Sequence, residues 1–129
     1  MADKSNESTP QRPEGDRLLD AQLVTMDLNH FLEQLRNESS WKDSDRNSIT
    51  VFKSEKLRMV LIGLHKGAEL KTHTANGLIT VQVIEGHIKF TAESQIVELQ
   101  TRQMVSLKEK IPHSVIALKE TFFLLTIAM

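Results

Sequence analysis

Hydrophobic and polar positions change their rhythm once along this chain, near residue 49. Before it, Leu28, Phe31, Leu32 and Leu35 recur at helical spacing and make one apolar stripe. Asp27 stands where its carboxylate can accept from the free N–H groups of a first turn. Met26 and Phe31 sit where a hydrophobic staple closes the start of a helix. The pattern predicts one helix, ending near residues 36–38. From Ile49 onward the period is two. Strands are expected at Ile49–Lys53, Leu57–His65, Leu78–Ile84, His87–Thr91, Gln95–Leu99, Met104–Leu107, His113–Leu118 and Phe122–Ala128. Turn residues bound each of them, and Asn76-Gly77 reads as a hairpin turn because both residues tolerate positive φ. Many short strands with no helix between them predict an all-β antiparallel sandwich or barrel.

Residues 1–16 hold almost nothing apolar and read as a disordered tail. Residues 17–48 read as an extended segment, the helix and a polar loop, and residues 49–129 as the β-barrel domain. The loop, residues 39–48, carries the only tryptophan. Its run DSDRN lacks the glycine and the distal glutamate of an EF-hand loop and reads as a solvated turn.

Composition narrows the function. The chain has 129 residues, a formal net charge of -1 and no cysteine. One core fits that length. The charge offers no basic surplus for a phosphate backbone, so nucleic acid is not an expected partner. Thiolate chemistry, disulfides and cysteine-based zinc sites are excluded. The longest apolar runs, Met59–Leu64 and Phe122–Met129, are far short of the ~20 residues of a spanning helix. The polar N-terminus shows no signal core, so no membrane association and a cytoplasmic location are expected.

The spacing Gly67, five residues, His73, and later Gly86 resembles the first motif of the cupin family. That motif reads Gly, five residues, His-x-His, three or four residues, Glu, six residues, Gly. Ile111-Pro112-His113-Ser114-Val115 resembles the histidine part of the second motif, and Ala117–Ile127 the closing strands of small cupins. The resemblance covers about two thirds of the chain and implies a double-stranded β-helix, or jelly-roll barrel, with one short N-terminal helix. It also implies a homodimer. The outward face of the strand with Thr80, Gln82 and Ile84 has few charges and can be covered by a second subunit.

Four departures bear on chemistry. The second histidine of the first motif falls at Ala75 and its glutamate at Ile79. The asparagine of the second motif falls at Ala117, and Lys110 stands in place of its turn glycine. Of four customary metal ligands, only His73 and His113 remain. Two imidazoles hold a divalent ion weakly, and a catalytic centre usually has three protein ligands and an open position. A third ligand would have to come from elsewhere, with His65 as a candidate. Strand alternation places Ile79, Val81 and Val83 inward, together with His113, Val115 and Ala117. The expected pocket is lined by His73, Ala75, Ile79, His113 and Ala117. It has aliphatic walls and two imidazoles at its mouth, and suits a small molecule with one polar end. Plain core filling is the competing structural reading of these aliphatic positions.

Two functions follow. One is a small-molecule-binding or regulatory module with an incomplete metal site and no cofactor. The other is a metal-dependent enzyme, of oxygenase or isomerase type, with one Fe, Mn, Ni or Zn ion on His73 and His113. His30 and His87 are expected at the surface, and Glu85 as a solvated charge. Thr72 and Thr74 flank His73. No nucleophile triad, phosphate loop or carboxylate pair is present.

Overall fold

A computed structural model describes residues 4–5 and 18–129. The tail expected over residues 1–16 lies outside the described residues, apart from strand β1 (Lys4–Ser5), which pairs with β2 (Leu18–Asp20). Helix α1 spans Leu28–Asn37, and Asp27 caps it by accepting from the His30 N–H at 3.3 Å. Nine strands follow a second short helix: β3 (Arg46–Lys53), β4 (Leu57–Leu64), β5 (Glu69–His73), β6 (Ile79–Glu85), β7 (His87–Ala92), β8 (Gln95–Gln100), β9 (Met104–Leu107), β10 (His113–Ala117) and β11 (Thr121–Ala128). Five form a sheet in the order β3-β4-β11-β6-β9, and four form a second in the order β5-β10-β7-β8.

The two sheets enclose one core. Inward residues Ile79, Val81 and Val83 of β6 meet Ile88, Phe90 and Val115 of the opposite sheet, all 3% exposed or less. A second cluster lies on the outer face of the five-stranded sheet. There Leu32, Leu35 and Trp41 pack on Ile49, Leu61 and Phe122. Strand β11 is therefore covered on both faces, which explains why FFLLTIA is apolar at every position but Thr126.

The structure corrects three expectations here. The polar loop around the tryptophan is in part a helix, α2 (Ser39–Asp43), and Trp41 is buried. Asn47 ties this region to the sheet by donating to the Leu35 carbonyl and to Glu38 Oε1. Strand β5 has no counterpart among the expected strands. It lies at a sheet edge with four of its five residues exposed, so burial imposes no alternation on its sequence. Asn76-Gly77 is not a hairpin turn. It links β5 to β6, which lie in different sheets, and neither residue has positive φ. Gly77 serves another purpose, because a Cβ there would land on the Ala128 carbonyl oxygen. Ile84 on the outer face of β6 packs against the helical cluster, and Thr80 and Gln82 beside it are half-buried.

Candidate functional site

His73 ends β5, His113 begins β10, and the two are register partners across the antiparallel ladder. Their rings meet at 4.3 Å between centroids and 61°, edge to face. Each ring is tethered to the backbone two residues before it. Nδ1 of His73 lies 2.7 Å from the Lys71 carbonyl oxygen, and Nδ1 of His113 lies 2.9 Å from that of Ile111. A carbonyl only accepts, so each Nδ1 carries the proton and donates. Each neutral ring then presents Nε2 as its lone-pair nitrogen.

The two histidines differ in burial. His73 is exposed, whereas His113 is 5% exposed and lies nearly parallel to Phe90, 5.7 Å between centroids. Burial holds the His113 pKa below the ordinary histidine value. The bond to the Ile111 carbonyl opposes this, and the charge of a protonated His73 adds to it.

Both rings line a cavity of about 470 Å³, within the range of about 300–1,000 Å³ usual for small-molecule sites. Its apolar wall is built from Ala75, Ile79, Leu125, Ile127 and Met129. Ala75 and Ile79 thus line the cavity together with His73 and His113. Ala117 does not. It is 1% exposed within the core, opposite Ile88, and its backbone is bonded to Gly67 and Ala68.

Sequence reasoning passed over the one charged residue of the lining, Arg58, and the wall residues Leu125, Ile127 and Met129. The arginine heads the inward series Arg58, Val60, Ile62, Leu64 of β4, and alternation alone would have flagged it as the one charge on that face. The register confirms the direction: Arg58 pairs with Ile127, which pairs with Ile79.

The donor set does not make a three-ligand metal centre. His65 lies elsewhere. Its Nε2 sits 2.7 Å from the Trp41 carbonyl oxygen, and its ring stacks on the indole at 3.6 Å. Among the described residues, no group of three or more His, Cys, Asp or Glu side chains is placed to hold an ion. Lys110, where cupins have a turn glycine, keeps a left-handed backbone at φ 63°. His87 is half-buried rather than at the surface, with Nε2 2.8 Å from Glu98 Oε1. Glu85 is paired with Arg36 of α1.

Solved structures share this fold. A conserved protein of unknown function from Streptococcus pyogenes superposes with a TM-score of 0.67 at 20% identity, covering 84% of this chain and 90% of its own. An RmlC-like cupin from Desulfovibrio desulfuricans gives 0.61 at 26% identity, over 67% and 84%. A salicylate 1,2-dioxygenase from Pseudaminobacter salicylatoxidans gives 0.60 at 19% identity, over 65% of this chain and 26% of the enzyme. The sequence matches no family profile and no curated protein. The chain has the cupin fold, an all-β double-stranded β-helix with a short helical segment before it. No helix among the described residues is long and apolar enough to cross a membrane.

Proposed function

We propose that this cupin domain binds a small molecule in the cavity between its sheets, as a binding or regulatory module with an incomplete metal site. The supporting observation is the composition of the cavity wall. At two positions where cupins carry metal ligands, Ala75 and Ile79 contribute apolar surface, and a guanidinium and two imidazoles are the charged and ionisable groups of the lining. Such a wall suits desolvation of an aliphatic body with few oriented polar contacts. A thermal-shift screen of small organic molecules on the wild type and on Ala75→Phe, which narrows the cavity from its wall, tests this. Compounds that stabilise the wild type alone support the reading. Equal shifts in both proteins, or none in the wild type, overturn it.

One observation favours a metal-dependent enzyme instead: both imidazoles keep Nε2 as a lone-pair nitrogen, on rings that touch edge to face. One Fe, Mn, Ni or Zn ion would then take its remaining ligands from substrate or water. A salicylate 1,2-dioxygenase stands among the structural neighbours, so this fold carries oxygenase activity in another protein.

Homodimerisation belongs to the same reading. Ile96 and Val97 of edge strand β8 are 62% and 40% exposed, and an open apolar edge favours pairing. Light scattering at micromolar concentration checks it, and a monomer removes it. A cytoplasmic location completes the proposal.

A further inference from the structure

We propose that the cavity takes a small aliphatic hydroxy acid, with its carboxylate on Arg58, its hydroxyl on the His73–His113 pair and its carbon skeleton along Ile79 and Ile127. This rests on the reading of the cavity as a ligand site and adds the chemical class.

Arg58 supplies the first part. It is the one charge on the inward face of β4, and its Nε is buried without a hydrogen-bond partner. No ion pair joins it to any described residue, and no acidic side chain among the described residues lines the cavity. A buried guanidinium N–H left unmet is costly. A planar carboxylate meets the guanidinium fork with two parallel bonds, which a point charge or a neutral amide does not reproduce.

The imidazoles supply the second part. With Nδ1 of each committed to a backbone carbonyl, a neutral ring offers only an acceptor at Nε2. An acceptor does not hold a carboxylate, but it does hold a hydroxyl. The cavity thus offers donors at Arg58, acceptors at His73 and His113, and an aliphatic wall between them. Register puts the wall in place: Ile127 lies beside Arg58 on the neighbouring strand, and Ile79 beside Ile127.

Binding of hexanoate, hexanamide and the 2-, 3- and 6-hydroxyhexanoates, followed by NMR titration at pH 7.5, separates the parts. Hexanoate is expected to bind on the order of tenfold tighter than hexanamide, the worth of a charge-assisted bond. At least one hydroxyhexanoate is expected to exceed hexanoate. Arg58→Gln should abolish the preference for hexanoate over hexanamide. His73→Ala should abolish only the preference for the hydroxy acid. Equal binding of hexanoate and hexanamide would overturn the carboxylate assignment while leaving the cavity as a ligand site. No gain from any hydroxyl isomer would overturn the hydroxyl assignment. Failure of all the probes to bind the wild type would overturn this inference and count against the ligand-site reading itself.

Discussion

His73 and His113 are register partners whose rings touch edge to face, yet one is exposed and the other buried. The pair is therefore asymmetric in what it contributes to folding. His73→Ala removes a ring from the cavity mouth and should change stability by no more than about 0.5 kcal/mol. His113→Ala leaves the Ile111 carbonyl without its donor and opens space beside Phe90, so it should cost about 1–3 kcal/mol. Urea denaturation of both variants checks the contrast. Equal losses would mean that His73 is structural.

The depressed pKa of His113 sets a pH dependence. Above the ordinary histidine value, 6.5, His113 is neutral in both the folded and unfolded states, and its contribution to stability is whole. Below it the unfolded chain takes up a proton that the folded ring resists, so stability falls as pH drops. Denaturation midpoints between pH 7.5 and 5 should therefore decline more steeply for the wild type than for His113→Gln. Parallel profiles would contradict the burial of this ring as the cause.

Two glycines separate packing from backbone strain. Gly77→Ala drives a methyl into the Ala128 carbonyl, and should cost about 3 kcal/mol or more. Gly67 has φ 89° but nothing within 4 Å of a Cβ, so Gly67→Ala should cost only the left-handed backbone penalty, about 1–2 kcal/mol. Equilibrium unfolding of the two variants gives the order directly.

His65 offers a control for the site. It holds α2 to the sheet through the Trp41 carbonyl and indole. His65→Ala should lower stability by about 1 kcal/mol and leave metal and hexanoate binding unchanged. Loss of either binding would bring His65 back as a site residue.

Where burial imposes a period, the sequence was readable. The α1 stripe, its Asp27 cap and the alternation in β6 and β10 all follow from one face meeting a core. Strand β5 was hidden because its edge position buries little. Helix α2 was hidden because SSWKD has one buried residue, Trp41, and no stripe. Asn76-Gly77 misled because a steric need for glycine and a conformational one look alike in sequence. In the cavity, the two histidines, Ala75 and Ile79 came from motif spacing and alternation, whereas Leu125, Ile127 and Met129 did not and Ala117 lies in the core instead. Arg58 was passed over because no motif holds it, although its inward position on β4 could be read by the same alternation that placed Ile79.

The central claim is that the His73–His113 pair is one end of a ligand cavity and not the core of a complete metal centre. Elemental analysis of the untagged protein, followed by titration with Mn, Fe, Ni and Zn, tests it most directly. The expected result is metal far below one ion per chain and only weak binding on titration. Near-stoichiometric metal that survives gel filtration, and is lost in both His73→Ala and His113→Ala, would contradict it.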